Sequence, residues 1–313
     1  MTDTPLGLVE IVGTGPVGTS IALACRRAGI DVVLTDLSAE HVRTASGLGA
    51  GRPRSADDRP VLVVVAVPPD HLADAIVDAL TDGDALVTDV GSIKSRPLHE
   101  VAQRVDAAQL SRYVGSHPMA GSERSGPLAA SAALFDGRPW AITPHVTSSP
   151  EATKAVGELV AICGAVPTTL SPEEHDSAVA RTSHLPHLAA VLVAGRPAGA
   201  PAEHLALSGR GVRDVTRIAA SDPALWQQIL GANADAVTDL LGELREQLDD
   251  LIAAVRTTSV GRCTASSAPA SAARRPSPAS TAARSGPCAR CSCPSPTIPA
   301  SWHGSSGTPA RSA

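Results

Sequence analysis

The sequence predicts a doubly wound parallel α/β domain, then an all-α domain, then a tail without a fold, in a chain of 313 residues. Three observations lead there. Up to about residue 170, short runs rich in Val, Leu and Ile alternate with helical stretches. From 171 to 256 the β-rich runs stop and apolar residues recur at helical spacing. From 257 to 313 periodicity of either kind disappears. The expected domains are therefore 1–170, 171–256 and 257–313.

In the first region the strands read as LVEIVG, DVVLTD, PVLVVVAVP, ALVTDVG, RYVGSHP and PWAITP, with helices such as 16–28 and 71–80 between them. Near-continuous aliphatic strands separated by helices imply a parallel sheet covered on both faces. In the second region 173–192, 203–220 and 223–256 read as helices. The last carries Leu230, Val237, Leu241, Leu244, Leu248, Leu251 and Val255 at spacings of three, four and seven. Such a stripe packs against other helices, of the same chain or of a second copy. The tail is dominated by Ala, Ser, Pro and Arg, with too little apolar surface to offset the entropy of ordering it, so disorder is expected.

With 43% hydrophobic and 18% charged residues, the composition is that of a globular protein. The first residues, MTDTPLG, have neither the basic start nor the apolar run of a signal peptide. No uncharged apolar stretch reaches the roughly 18 residues of a membrane helix. A cytoplasmic protein without membrane or nucleic-acid partners is the expectation. The net charge of −5 hides a split, because the tail holds six arginines and no acid. Cys25 and Cys163 lie in apolar helical contexts and read as reduced core thiols. Cys263, Cys288, Cys291 and Cys293 crowd the tail at spacings that match no common zinc pattern, so no metal site is expected.

Gly13-Thr14-Gly15-Pro16-Val17-Gly18 follows the first strand and opens a helix, and Asp36 ends the second strand. In that context the glycine pattern is a dinucleotide fingerprint of the Rossmann type. Gly13 permits the tight turn, Gly15 lets backbone amides approach the pyrophosphate, and Gly18 allows close helix–strand packing. Pro16 and Val17 begin the helix whose N-terminus favours phosphate charge. Asp36 would accept hydrogen bonds from the adenosine ribose and repel a 2′-phosphate, and no Arg follows it in Leu37-Ser38, which favours NAD over NADP. The alternative is a structural turn with a strand-end cap.

Two further motifs end predicted strands, where ligands bind in open parallel sheets: Asp89-Val90-Gly91-Ser92-Ile93-Lys94, and Gly115-Ser116-His117-Pro118-Met119-Ala120-Gly121-Ser122-Glu123. The helical region adds Thr182-Ser183-His184-Leu185-Pro186-His187. It also adds Arg213-Asp214-Val215-Thr216-Arg217-Ile218-Ala219, followed by Ser221-Asp222-Pro223 and Trp226. These motifs in this order resemble the prephenate dehydrogenase family across about residues 8–256.

The resemblance implies an NAD-dependent oxidative decarboxylation of prephenate to 4-hydroxyphenylpyruvate, a step of tyrosine biosynthesis. It also implies a homodimer formed through the helical domain. By that resemblance His117 accepts the proton of the substrate hydroxyl, with Ser92 hydrogen-bonding nearby to fix its orientation. Arg217 pairs with a substrate carboxylate, Ser183 and His187 contact the substrate from the helical domain, and Ser122 and Glu123 border the pocket. Plainer readings stand beside these: a structural loop for His117, a surface ion pair with Asp214 for Arg217, and a buried capping role for His187. His184 and Arg213 read as structural.

Arogenate dehydrogenase is the nearest rival activity, and the sequence does not separate the two. A β-hydroxyacid dehydrogenase is disfavoured, since that family typically relies on a helical-domain lysine and none follows Lys154. A non-catalytic NAD sensor gives no reason to keep Ser92, His117 and Arg217 together. The tail invites a different reading. Lys94 and Lys154 are the only lysines beside 24 arginines, which suggests a GC-rich gene. Plausible codons for 297–310, read from the third base of the Pro296 codon, give Asp-Asp-Pro-Gly-Glu-Leu-Ala-Arg-Leu-Phe-Arg-Asp-Ala. That phrase resembles the first loop and helix of an ACT domain, a regulatory module that some family members carry at this place. The expectation is a frameshift between about Ala254 and Cys263.

Overall fold

The computed structural model describes residues 6–121 and 126–256. Its elements run β1 (Val9–Val12), α1 (Pro16–Arg27), β2 (Val32–Thr35), α2 (Ala39–Gly47), β3 (Arg52–Pro53), β4 (Leu62–Val65), α3 (Leu72–Thr81), β5 (Leu86–Asp89), α4 (Ser95–Ala102), α5 (Ala107–Ser111), β6 (Gly115–Pro118), β7 (Pro139–Thr143), α6 (Pro150–Ile162) and β8 (Val166–Thr169). Helices follow: α7 (Pro172–Val179), α8 (Leu185–Ala194), α9 (Ala202–Leu205), α10 (Arg210–Ala219), α11 (Pro223–Ala232) and α12 (Ala234–Arg256).

The first five strands form a parallel sheet in the order β3-β2-β1-β4-β5. Val9, Ile11, Val32, Leu34, Leu62 and Val64 enter one core with α1 and α6, while Val63, Val65 and Val87 enter another with α3. Both faces are thus covered, which is why the strands read as unbroken aliphatic runs. The chain order reverses between β1 and β4, so the crevice at their carboxyl ends is where a nucleotide belongs.

Two details depart from the sequence expectation. A bridge from Val87 to Tyr113 leads to a second sheet, β6-β7-β8, in which β6 runs antiparallel to β7. The anticipated parallel sheet therefore covers β1 to β5 alone. The helical segments are also more broken than their periodicity suggests. The first becomes α7 and α8 joined by a π-helical turn at Ala180–His184, the second splits into α9 and α10, and the third breaks at Asn233. Asn233 leaves helical geometry while its side-chain amide donates to the Asp176 carbonyl (2.8 Å), a tertiary bond that no local pattern announces.

Among the described residues the helical part buries little on its own. Ala180, Val237 and Leu240 form its buried cluster, and the far end of the α12 stripe is exposed at Leu248, Leu251 and Val255. The tail and its suspected frameshift lie outside the described residues.

Candidate active site

The glycine turn is built for close approach. Gly13 has φ +97°, and a Cβ there would lie 2.4 Å from the Ala66 carbonyl oxygen after β4. A Cβ on Gly18 would meet the Gly13 carbonyl oxygen at 2.0 Å, whereas Gly15 faces open space. Pro16 occupies the first turn of α1, and no side chain caps that helix, so its leading N–H groups point out of the turn. Val17 packs against the neighbouring core. Asp36 closes the cradle, for both the Thr14 amide and hydroxyl donate to its Oδ2 (2.6 and 2.8 Å), and the Ser38 amide donates to Oδ1 (2.8 Å). Burial raises its carboxyl, but these donors outweigh it and hold the group below the usual carboxylate range. The residues fit a dinucleotide with free ribose hydroxyls.

Beyond the cradle, β5 and β6 carry a polar cluster. Lys94 and Asp89 form an ion pair that is almost completely buried. The Lys94 ammonium also donates to the Ser116 carbonyl (2.8 Å), and Asp89 accepts from the Tyr113 hydroxyl and the Gly91 amide (2.8 Å each). Burial lowers the Lys94 pKa against the pull of Asp89. A Cβ on Gly115 would come within 2.7 Å of the Thr143 hydroxyl and 3.1 Å of Lys94 Cδ, so the cluster leaves room for glycine alone there. This network fixes the backbone of Ser116, and with it the half-buried His117 at the next position.

His117 Nδ1 lies 2.9 Å from His175 Nε2, and His175 Nδ1 lies 2.8 Å from Asp176 Oδ1. The two imidazoles meet edge to face, with centroids 5.1 Å apart. Burial holds the His117 pKa well below its ordinary value, and His175, Lys94 and His184 push the same way. The ring is neutral at neutral pH. No hydrogen-bond partner for its Nε2 occurs among the described residues.

The other expected residues are less gathered. Ser92 is half-buried in the loop before α4 and lines a recess with Leu72, Ile93 and Gln228, but the partner of His117 Nδ1 is His175, not Ser92. Ser183 is exposed on the π-helical turn, an irregularity often found at functional positions. Arg217 is exposed on α10, 3.6 Å from Asp214. His187 is buried, its ring stacked on Trp226 at 3.5 Å and bonded to the Ile218 backbone, so it braces α8 against α10. His184 is buried beside Asn233 and Trp226, which pushes its pKa down to about 4. Ser122 and Glu123 lie outside the described residues.

Sequence reasoning passed over His175 and Asp176. The available signal was two adjacent polar residues in the first turns of α7, straight after the capping box Ser171 to Glu174 and on the face that helix buries. It also named the DVGSIK motif for Ser92, without singling out Asp89 and Lys94 as its buried pair.

The fold and the cradle define a Rossmann-type, NAD-dependent dehydrogenase with a helical C-terminal part. Comparison with known proteins narrows this. Residues 21–168 match the family model of the prephenate dehydrogenase nucleotide-binding domain, and residues 171–263 match that of the prephenate dehydrogenase dimerization domain. A Streptomyces niveus protein described as "Probable prephenate dehydrogenase NovF" is 40% identical over 255 residues, 80% of this chain and 69% of that one. The prephenate dehydrogenase of Bacillus subtilis is 32% identical over 268 residues, 80% and 70% of the two chains. The crystal structure of Aquifex aeolicus prephenate dehydrogenase in complex with hydroxyphenyl propionate and NAD+ is similar with a TM-score of 0.77 and 27% identity, covering 86% of this chain and 97% of that one. The chain belongs to the prephenate dehydrogenase family, and its cofactor is NAD.

Proposed function

We propose that this chain oxidises and decarboxylates prephenate to 4-hydroxyphenylpyruvate, with His117 as the base. One observation carries the reading. His117 is a neutral, half-buried imidazole near the carboxyl end of β6, anchored through Nδ1 and open at Nε2 among the described residues. A base of this kind at the reacting hydroxyl meets the need of the reaction.

Bound NAD supplies the acceptor for the hydride that leaves the ring carbon bearing the hydroxyl. His117 Nε2 draws the hydroxyl proton as that hydride departs. The bond to the ring carboxylate breaks, CO₂ leaves, and the electron pair of that bond enters the ring, which becomes aromatic. The proton then returns to the phenolate oxygen. The residues mainly supply alignment and a proton acceptor, since aromatisation drives the step.

Ser92, in the loop before α4, hydrogen-bonds near His117 and helps to fix its orientation. Arg217 pairs with a substrate carboxylate, and its exposed contact with Asp214 holds it weakly enough to be given up. Ser183, Ser122 and Glu123 complete the substrate rim, while His187 supports α10 from beneath. Gly13, Gly15, Pro16, Val17, Gly18 and Asp36 hold the cofactor. The domain limits are 1–170 and 171–256, and two chains pair through α8 and α12, where Val191, Leu192, Val193, Leu248, Leu251, Ile252 and Val255 are exposed. The compartment is the cytoplasm, consistent with the buried free thiols of Cys25 and Cys163; among the described residues no helix is long and apolar enough to cross a membrane.

The test is NADH formation with prephenate, run beside arogenate and beside NADP. Turnover of prephenate with NAD is the expected result. Turnover of arogenate alone would move the substrate assignment, and failure with both substrates would remove it.

A further inference from the structure

We propose that His175 and Asp176 form a positioning relay that fixes the tautomer of His117, keeping its hydrogen on Nδ1 and its lone pair on Nε2. The inference rests on His117 being the base and assigns what makes it one.

Asp176 is the fixed end of this chain of bonds. Its Oδ1 accepts from the Lys94 amide (2.9 Å) and its Oδ2 from the Ser95 amide (2.8 Å), both at the start of α4. Burial raises this carboxyl, yet His175 and the two amides outweigh it and keep the group below the usual carboxylate range. An ionised carboxylate only accepts, so His175 Nδ1, 2.8 Å away, must be the donor. In a neutral imidazole the other nitrogen is then an acceptor. His175 Nε2 therefore accepts from His117 Nδ1 at 2.9 Å, and the His117 hydrogen sits on Nδ1. What remains on Nε2 is a lone pair. The opposite tautomer would present an N–H to the substrate hydroxyl and could accept nothing.

The same carboxylate joins two parts of the molecule. Asp176 sits on α7, the first helix of the helical part, while Lys94 and Ser95 follow the loop that carries Ser92. Its carbonyl accepts from Asn233, at the break between α11 and α12. The state of the base is thus tied to the seating of the helical part on the sheet. His175 is 1% exposed, so its two partners are shielded from exchange with water.

Nitrogen-15 NMR of the histidine-labelled, NAD-bound enzyme reads the tautomer directly. The expected signature is a hydrogen on His117 Nδ1 and a pyridine-like Nε2, and the opposite assignment overturns the relay. In Asp176→Asn the amide can donate to His175 Nδ1 and reverse both bonds. Turnover should then fall by about a hundredfold or more, by analogy with the wrong-tautomer loss in catalytic triads, while NAD affinity stays within about twofold. If Asp176→Asn does not fold, His175→Phe keeps a planar aromatic ring, removes the acceptor, and should lower kcat at least about tenfold. A kcat within about threefold of wild type in a folded variant overturns the relay.

The third arm separates positioning from stability. In a His117→Asn background, Asp176→Asn should cost no more than about twofold further, because groups acting through one base are not additive. An additive loss assigns Asp176 a structural role and overturns the proposal. A His117→Asn enzyme that turns over normally would defeat the base assignment itself. A crippled His117→Asn beside fully active His175→Phe and Asp176→Asn would defeat the relay alone.

Discussion

The sheet region and the helical region are assembled on different terms. In the first, β1 to β5 carry buried aliphatic residues on both faces, and Trp140, Phe135, Leu34 and Ile76 are fully enclosed within one chain. In the second, the described residues of a single chain bury Val179, Ala180, Ala190, Ile229, Val237 and Leu240, and leave Leu248, Leu251, Ile252 and Val255 exposed. A side chain such as leucine gains about 1.5–3 kcal/mol on full burial. The sheet region collects that gain internally, and the helical region leaves much of it to be collected against another surface. The chemistry follows the same division. His175 and Asp176 are buried and His117 is half-buried, whereas Ser183 and Arg217 stand exposed.

The comparison breaks most visibly at His117. His117→Asn is expected to lower turnover by about 10²–10⁴-fold with NAD affinity nearly unchanged, measured by steady-state NADH formation and by NAD titration. A normal rate would mean that the sheet region supplies only cofactor binding. Arg217→Ala tests the helical side. The KM for prephenate should rise roughly ten- to a hundredfold, since a charge-assisted bond is worth about 1.5–3 kcal/mol. An unchanged KM would return Arg217 to its surface contact with Asp214.

Replacing both Leu248 and Leu251 by Glu sharpens the contrast in packing. Sedimentation should show the double variant shifting toward monomer, with the helical part melting earlier than the sheet part. Two chains that stay paired with unaltered melting would place the interface elsewhere. Asp36→Ser should relax the preference for NAD over NADP, through loss of the carboxylate that repels a 2′-phosphate; a wild-type enzyme that already prefers NADP would defeat this. The smallest effect is expected from ending the chain at Arg256, which should leave fold and dehydrogenase rate unchanged. Resequencing the gene tests the frameshift in parallel, and a clean reading frame through 257–313 would remove it.

Much of the sheet region could be read from its residues. Strand runs, the Gly13 to Gly18 turn and Asp36 are local signals with a fixed spacing, and each appears where its pattern puts it. Neighbouring residues determine those features, through backbone sterics, burial on both faces of a strand, and a carboxylate at the strand end. The short β3 and β8 were missed because Arg52–Pro53 and Val166–Thr169 are largely exposed edge segments with no apolar pattern. The helix break at Asn233 escaped for another reason, since the apolar spacing runs on through it while the Asp176 carbonyl claims its side chain.

The site divides in the same way. Sequence alone determined which residue types line the crevice, because His117 and Ser92 sit in motifs beside predicted strand ends. It could not determine that His175, 58 residues from His117, is the partner of its Nδ1. Nor could it show that His187 is covered by Trp226 and tied to Ile218. Those are contacts between elements far apart in the chain, and a hydrogen bond depends on position within tenths of an ångström. Spacing along a sequence fixes period and face, and the packing of α7 against α4 and β7 decided which nitrogen meets which.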